Sequence, residues 1–349
     1  MNHKISRSGA LVAAALAAGL GGAASAQSLT VTGFGGAMQD ALRGAYFTPY
    51  AEQSGVTLTE DSYLGGISKI KAMVDTNSVV WDVVQMDEDE MLLACEQGLL
   101  DSVDVGTLEI KGELMGQATR HGDCGVGFFV WSLLLGYDAD KLEKAPTSWA
   151  DMWDLETWPG DRGLRKRART TLEIALMADG VAPDEVYDVL GTDEGVDRAF
   201  AKLDEIKDHI IWWESGAQAP EWLASGDLVM AAAYNGRLDS ANQSGRNFGM
   251  VWTNQIYAMD FWTVVRGGDL EEGMKFINFT LDPQNQKNFT DEIPYGVVNT
   301  GANELIAPER ASQLPTGEAN LKSGLPIDVE FWVDNEAELQ TRFTQWLAN

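Results

Sequence analysis

The sequence predicts an α/β fold of two lobes, each with a central and mostly parallel sheet. Short strand-like runs such as 28–34 (SLTVTGF) and 81–86 (WDVVQM) alternate with helical patterns, which is typical of parallel sheets covered by helices. The chain has 349 residues, more than one hydrophobic core usually serves. Two apolar runs, 127–137 (GFFVWSLLLGY) and 257–265 (YAMDFWTVV), fit extended segments that cross between the lobes.

The predicted elements begin with strand 28–34, which ends at a Gly-Gly turn, and a helical pattern that Pro49 bends. The stretch 149–225 is rich in helical patterns, with capping residues such as Thr192 ahead of them. The other elements predicted are a strand near 56–58, strand 81–86, a helix over 91–99, and strands 228–234, 248–252 and 257–265.

The N-terminus has the pattern of a secretory signal. Lys4 and Arg7 precede an apolar run over 10–20, and Ala24–Ala26 provides small residues for cleavage, so the mature chain is expected to begin at Gln27. The apolar run is too short and too rich in Ala and Gly for a membrane anchor. We therefore expect a soluble protein exported to the periplasm of a Gram-negative cell.

The expected division of the chain follows from these features. It comprises a signal peptide at 1–26, a first lobe made of 27–132 and 257–302, and a second lobe made of 133–256 and 303–349.

The composition is strongly acidic. The chain has 53 acidic and 25 basic residues and a net charge of −28, which becomes more negative when the signal is removed. Nucleic acid and anionic lipid are disfavoured as partners, since both require basic patches. The charge does not by itself identify a cationic ligand, because surface charge also serves solubility and is screened by salt.

The two cysteines, Cys95 and Cys124, are even in number and belong to an oxidising compartment. Neither lies in a Cys-x-x-Cys pair or near a His-rich cluster, so a structural disulfide is favoured over a metal site or a thiol nucleophile. His121 lies close to Cys124 in sequence, but a surface histidine is the simpler interpretation.

Four stretches carry a resemblance to the polyamine-type (spermidine/putrescine-like) periplasmic solute-binding proteins of ABC transporters. The third of them is the most specific. They are WDVVQMDEDEM with the following ACEQGLL (81–100), GDLVMAAAYNGR (226–237), MDFWTVVRGGDLEEGMKFINFTLDP (259–283) and IPYGVVN (293–299). The chain also resembles the γ-aminobutyrate-binding branch of that family.

The resemblance implies a type II periplasmic binding protein fold whose two lobes are joined by a hinge and close on a small ligand. It implies that the closed form is presented to an ABC permease in the inner membrane. It also implies a monomer that needs no cofactor and performs no catalysis.

Asp260 is the main candidate for ligand binding. It interrupts an apolar strand and matches the position where the family binds an amino group, and a carboxylate there would form charge-assisted hydrogen bonds to ammonium. Tyr234 and Tyr295 match aromatic positions beside the ligand and would add cation–π attraction. Trp262 is a further candidate, although it and Phe261 alternate in direction and only one of them can face the cleft.

The sequence departs from the polyamine binders where they place acids in the second lobe. Arg167 and Arg237 stand there instead. An arginine would repel a second ammonium but would pair with a carboxylate through its planar fork. A zwitterionic ω-amino acid such as γ-aminobutyrate is therefore favoured over putrescine or spermidine, with its amine on Asp260 and its acid on Arg237.

Weaker candidates surround these residues. Asp87 and Asp89 are left open as ligand contacts, whereas Glu88 and Glu90 are better explained as acids in the first turn of a helix. The remaining stretch of basic residues near Arg167 is expected to form a solvated loop. Further possible contacts are Trp213 and Glu214, and Gly35 and Gly36, which would let the backbone approach the ligand.

Three alternatives stay open. Polyamine binding is possible if the acids at 87–90 return negative charge to the cleft. A hydrolase with two carboxylates is not excluded by counting acids, although no known catalytic motif is present. A ferric-ion receptor is disfavoured, because such proteins usually need adjacent tyrosines, which this chain does not have.

Overall fold

The structure is a computed structural model that describes Met1 and residues 27–348. Apart from Met1, the expected signal peptide lies outside the described residues. Within 27–348, none of the helices has both the length and the apolar character needed to cross a membrane.

The described residues contain eleven strands joined in one sheet. They are β1 (Ser28–Gly33), β2 (Thr57–Ser62), β3 (Val83–Asp87), β4 (Leu100–Asp101), β5 (Val126–Asp138), β6 (Arg162–Arg165), β7 (Ile210–Trp213), β8 (Met230–Tyr234), β9 (Phe248–Val265), β10 (Gly296–Val297) and β11 (Leu325–Pro326).

Fourteen α-helices cover this sheet in the part of the chain that the structure describes. They are α1 (Gly36–Leu42), α2 (Thr48–Ser54), α3 (Ser68–Asp75), α4 (Glu88–Glu96), α5 (Ala168–Ala178), α6 (Val186–Leu190), α7 (Asp193–Asp204), α8 (Gln218–Ser225), α9 (Asn235–Gln243), α10 (Leu270–Thr280), α11 (Pro283–Glu292), α12 (Pro308–Ala311), α13 (Glu318–Ser323) and α14 (Val329–Ala348).

Two long strands, β5 and β9, form the centre of the molecule. They run antiparallel to each other, and the strand order is β2-β1-β3-β9-β5-β8-β6-β7. On one side β1, β2 and β3 are parallel, and on the other side β6, β7 and β8 are parallel. Lobe 1 is the half that contains β1–β3, and lobe 2 is the half that contains β6–β8. The residue boundaries given above stay a prediction.

The sequence pattern explains why β5 and β9 are central. Twelve of the thirteen residues of β5 are buried. Its run of Phe, Val, Trp and Leu suits a strand that is covered on both faces. The predicted strands 248–252 and 257–265 are one continuous strand of 18 residues, β9. Both long strands therefore reach from one lobe into the other.

Helix α14 touches both lobes. It lies against α4, which follows β3 in lobe 1, and against α5, which follows β6 in lobe 2. Trp332 of α14 is fully buried, and its Nε1 donates a hydrogen bond of 2.8 Å to Glu173 of α5. The chain thus ends in a helix that packs on the junction between the lobes.

The disulfide predicted from the sequence is confirmed. Cys95, near the end of α4, is bonded to Cys124, which directly precedes the segment leading into β5. The bridge ties a helix of lobe 1 to the start of a central strand.

Replacing both cysteines (Cys95→Ser with Cys124→Ser) is expected to lower the free energy of unfolding by about 2–4 kcal/mol. The reason is that the bridge joins residues 29 positions apart and restricts the unfolded chain. Urea denaturation followed by tryptophan fluorescence measures the change, with the reduced wild-type protein as a matched control. An unchanged unfolding midpoint in the variant would contradict this expectation.

Candidate functional site

A cleft between the lobes gathers most of the predicted residues. Its empty space is about 670 Å³ when the part open to solvent is counted. The residues that line it are Phe34, Met38, Tyr63, Leu64, Gly65, Gln85, Asp87, Phe129, Trp131, Arg165, Trp213, Glu214, Ser215, Gly216, Tyr234, Arg237, Asp260 and Tyr295.

Asp260 lies in the cleft on β9 and is almost completely buried. Its carboxylate accepts a hydrogen bond of 2.6 Å from Trp131 Nε1 and another from Gln85 Nε2. Burial, and next the nearby Asp87, raise the pKa of Asp260 well above its usual value. A buried carboxylate of this kind favours a positively charged partner, because such a partner offsets the loss of water.

Asp87 also lines the cleft and is the cross-strand partner of Asp260 in the β3–β9 pairing. Its Oδ2 accepts a hydrogen bond of 2.6 Å from Arg169 Nη2. Burial alone would raise the pKa of Asp87, but Arg169 and the neighbouring arginines hold it below its usual value. Asp87 is therefore a charged group that already has a partner from lobe 2.

Aromatic rings form the walls of the cleft. Tyr295 is stacked on Phe129, with 4.8 Å between ring centroids. Tyr234 meets Trp131 and Trp213 edge-on, at 5.4 and 5.8 Å. Tyrosine and tryptophan faces attract cations, so the walls suit an ammonium group near Asp260.

Arg165 lies in the cleft, where sequence reasoning expected only a solvated loop. Its Nη1 is buried without a hydrogen-bond partner, and its guanidinium carbon is 5.9 Å from the centroid of the Trp213 ring. The indole nitrogen of Trp213 is likewise buried without a partner. Buried donors without an acceptor are costly, so this pair is well suited to an anionic group of a ligand.

The topology explains how Arg165 reaches the cleft. Arg165, Trp213 and Tyr234 are the last residues of β6, β7 and β8, which are parallel neighbours. The carboxyl ends of parallel strands meet at one edge of a sheet, and this edge is where α/β proteins bind ligands. The strand that ends at Arg165 lies within 149–225, where helices were predicted, so no signal in the sequence identified this residue.

Arg237 follows β8 in the first turn of α9 and lines the cleft as predicted. It is partly buried and forms no hydrogen bond or ion pair with any residue that the structure describes. Its guanidinium packs against Gly36, whose φ is +58°. A β-carbon at that position would overlap Nη1 of Arg237.

The predicted contact of Gly35 and Gly36 with a ligand stays a prediction. Neither residue is part of the cleft lining. Both have positive φ angles, which glycine adopts without strain. The structural role of Gly36 is to leave room for the side chain of Arg237.

Arg167 and Asp89 also lie outside the cleft lining. Arg167 is held by ion pairs, at 3.0 Å from Glu336 and 3.7 Å from Asp89. Asp89 in addition pairs with Arg169. These charges pair with one another near α4, α5 and α14, and a contact of either residue with a ligand stays a prediction.

Of the three remaining candidates, two line the cleft and one does not. Trp262 is fully buried against Phe128, with 4.0 Å between ring centroids, and against Phe276 of α10, and it is not part of the cleft lining. Trp213 and Glu214 do line the cleft. Glu214 is exposed at the rim, where Lys166 is 2.8 Å away.

Several lining residues were missed by sequence reasoning. Trp131 and Gln85 donate to Asp260, and the need of a buried carboxylate for donors was the signal that could have suggested them. Phe34 and Tyr63, which stack on each other at 5.2 Å, come from the ends of β1 and β2. Their aromatic character alone did not distinguish them from core residues.

A two-lobed α/β protein whose interlobe cleft is lined by charges and aromatic rings has the architecture of a solute-binding protein. Residues 45–316 match the family of bacterial extracellular solute-binding proteins. The chain belongs to this family, and the fold and the class of protein predicted from the sequence are confirmed.

Individual relatives differ in the ligands named for them. The chain is 45% identical over 326 residues to the γ-aminobutyric acid-binding protein of Pseudomonas aeruginosa PAO1, covering 93% of this chain and 92% of that protein. It is 28% identical over 190 residues to the spermidine/putrescine-binding periplasmic protein of Escherichia coli K12, covering 53% of this chain and 52% of that protein.

Solved structures also resemble the chain over most of its length. The PBP AgtB from A. tumefaciens R10 in complex with agropinic acid has a TM-score of 0.83 and 31% identity, covering 93% of this chain and 99% of that chain. The Atu4243 GABA receptor has a TM-score of 0.79 and 32% identity, covering 93% of this chain and 98% of that chain.

Glu90, which lies beside the ion pairs of Arg167, provides a test of the described electrostatics. Burial, followed by repulsion from Asp87 and Asp89, raises the pKa of Glu90 from 4.5 to about 7. The folded protein therefore retains a proton that the unfolded chain releases between these values, and the contribution of Glu90 to stability decreases as the pH rises through this window.

Glu90→Gln is expected to match the wild type in stability near pH 5 and to be more stable at pH 8 by roughly 1–3 kcal/mol. Urea denaturation at the two pH values measures the difference. Glu96→Gln, an exposed position on the same helix, is the matched control and should show no such dependence. If Glu90→Gln is no more stable than the wild type at pH 8, the result contradicts the burial of an ionised Glu90.

Proposed function

We propose that the protein is the periplasmic receptor of an ABC importer and that it captures a zwitterionic ω-amino acid such as γ-aminobutyrate. The observation that carries the proposal is the distribution of charge in the cleft. Asp260 of β9 is buried in the cleft, and Arg165 and Arg237, which form no ion pair with a carboxylate of the described residues, enter the same cleft from lobe 2.

The tyrosines support this arrangement, because each is near charges of both signs. The pKa of Tyr295 is raised mainly by burial, with smaller and opposing effects of Arg237 and Asp260. The pKa of Tyr234 is likewise raised mainly by burial, with opposing effects of Arg165 and Asp260 among others. A short ligand lying against these rings would have its amine near Asp260 and its acid near the arginines.

Polyamine binding is the second candidate, and the two charged ends of the cleft disfavour it. A diamine bound to Asp260 would direct its second ammonium toward Arg165 and Arg237, where like charges repel. The relatives support the same ranking, because the 45% identical protein is named for γ-aminobutyric acid and the polyamine-binding relative is 28% identical over about half of the chain.

The rest of the proposed role follows from the family. We expect the closed, ligand-bound form to dock on a permease in the inner membrane and to release its ligand chemically unchanged. The lobes would separate by bending of β5 and β9, which connect them.

Isothermal titration calorimetry with γ-aminobutyrate and putrescine tests the proposal. The wild-type protein is expected to bind γ-aminobutyrate more tightly than putrescine. Arg237→Ala and Arg165→Ala should each weaken γ-aminobutyrate roughly 10–100-fold, because each removes a charge-assisted contact to the ligand carboxylate. Neither substitution should weaken putrescine, which has no carboxylate.

The matched control is Arg198→Ala, since Arg198 is an arginine outside the cleft that pairs with Asp179. This variant should bind γ-aminobutyrate like the wild type. If calorimetry shows heat of binding with putrescine and none with ω-amino acids, the proposal is overturned and polyamine binding is favoured.

Gly36→Ala tests the placement of Arg237 without changing any charge. The new methyl group would displace the guanidinium, so weaker binding of γ-aminobutyrate is expected. Gly55→Ala is the matched control, because Gly55 has a φ of +75° and no atom within 4 Å of the added carbon.

Both alanine variants should lose about 1–2 kcal/mol of stability, the typical cost of a non-glycine residue with positive φ. Thermal denaturation measures this loss, and calorimetry measures the affinity. Equal affinities of the Gly36 and Gly55 variants would contradict the role assigned to Arg237.

A further inference from the structure

The amine end of the cleft contains two carboxylates. Asp87 and Asp260 are direct partners in the antiparallel pairing of β3 and β9, and both line the cleft. Directly opposed residues of this kind have β-carbons about 4.5–5.5 Å apart. An ammonium group carries one positive charge, so a ligand amine alone would leave one buried negative charge without compensation.

Arg169 provides the second positive charge, and it comes from the other lobe. Its Nη2 lies 2.6 Å from Asp87, and its Nη1 pairs with Asp89. The side chain is 2% exposed and is not part of the cleft lining. Arg169 therefore pairs with Asp87 without lining the cleft, and it does not occupy the space of the ligand.

The backbone around Arg169 is unusual in a way that fits this role. Arg169 is extended, with φ −56° and ψ 134°, and Thr170 has a φ of +73° inside the first turn of α5. A β-branched residue with positive φ is costly and persists where the surrounding structure requires it. This turn brings the Arg169 side chain to the carboxylates of lobe 1.

We propose that Arg169 is a positioning residue that sets the charge of the amine end of the cleft. When the lobes close, Arg169 neutralises Asp87, so the Asp87–Asp260 pair keeps one net negative charge and selects a single ammonium. This inference rests on the proposed function and deepens it. Without Arg169, one of the two carboxylates would have to hold a proton for the ligand amine to bind.

Other charged and titratable groups face the pair, and all of them except Asp89 are unchanged in the test. From the same strand end and α4 come Asp89 and Glu90, and from lobe 2 come Arg165, Arg167 and Arg237. The phenols near the pair are Tyr63, Tyr234 and Tyr295. Because these groups are otherwise common to all variants, and Asp89 changes only in the control double variant, a comparison between variants isolates the effect of Arg169.

The experiment compares the wild type with Arg169→Met, Asp87→Asn and two double variants. Arg169→Met with Asp87→Asn removes both members of the pair that the inference names. Arg169→Met with Asp89→Asn is the matched control, because it removes the other carboxylate that Arg169 contacts. Binding of γ-aminobutyrate is measured by calorimetry at pH 6 and pH 9, in buffers of low and high ionisation enthalpy.

The expected result is a specific rescue. Arg169→Met and Asp87→Asn should each weaken binding at pH 9, by about tenfold or more, and the double variant should recover most of that loss. The Arg169→Met with Asp89→Asn variant should stay weak. Thermal denaturation verifies that each protein is folded, and the comparison of Asp87→Asn with its double variant remains informative if Arg169→Met alone does not fold.

The pH dependence gives a readout that a purely structural role would not change. Wild-type affinity should fall as the pH is lowered, because burial and Asp87 raise the pKa of Asp260 and protonation removes its charge. In Arg169→Met, affinity should instead fall from pH 6 to pH 9, with net proton uptake on binding. In the double variant with Asp87→Asn, the affinity should again fall as the pH is lowered, as in the wild type.

Two results would overturn the inference. One is an Arg169→Met protein with wild-type affinity and pH profile, and the other is equal weakness of both double variants, which would make Arg169 only a contact between lobes. Both are distinguishable from failure of the proposed function, which would appear as a wild-type protein that binds no ω-amino acid.

Discussion

Asp87 and Asp260 lie side by side because β3 and β9 are antiparallel neighbours and their register pairs these two residues. Two carboxylates at this separation repel each other, and both are removed from water. The surrounding structure compensates with Trp131 and Gln85 on Asp260 and with Arg169 on Asp87. The positions of these donors, and the approach of lobe 2 that supplies Arg169, follow from this one constraint.

Lobe 2 supplies positive charge to the cleft from the ends of parallel strands and from α9. Three parallel strands end at the same edge and present Arg165, Trp213 and Tyr234 to the cleft. A rigid sheet edge fixes these side chains in relation to one another, whereas Arg237 depends on α9 and on the space that Gly36 leaves. The two lobes thus offer opposite charges to one cleft, so a ligand with both charges would stabilise their approach.

The fold and much of the site were predictable from local patterns. Alternating strands and helices and the long apolar runs identified the two lobes, and Asp260 stood out because a charged residue interrupts an apolar strand. The disulfide followed from cysteine number and compartment. These predictions depend on sequence neighbours or on composition, which a single chain displays directly.

The directions of the arginines near α5 could not be predicted, because they depend on partners that come from other parts of the chain. The run from Arg165 to Arg169 contains three arginines of the same chemical type, yet Arg165 faces the cleft, Arg167 pairs with Glu336, and Arg169 pairs with Asp87. Their directions are set by the end of β6 and by the turn at Thr170. No pattern within the run distinguishes them, because the acids that pair with Arg167 and Arg169 lie far away in the sequence, at the end of β3, in α4 and in α14.

Helix α14 gives the molecule a mechanical property that neither lobe has alone. Because α14 packs on α4 of lobe 1 and on α5 of lobe 2, separation of the lobes would change at least one of these contacts. Val333 on α14 and Leu93 on α4 are both exposed, so each of these helices has a position that a label can reach from solvent. An environment-sensitive dye attached at either position would turn lobe movement into a fluorescence signal, which makes this helix the natural place to build a sensor on the protein.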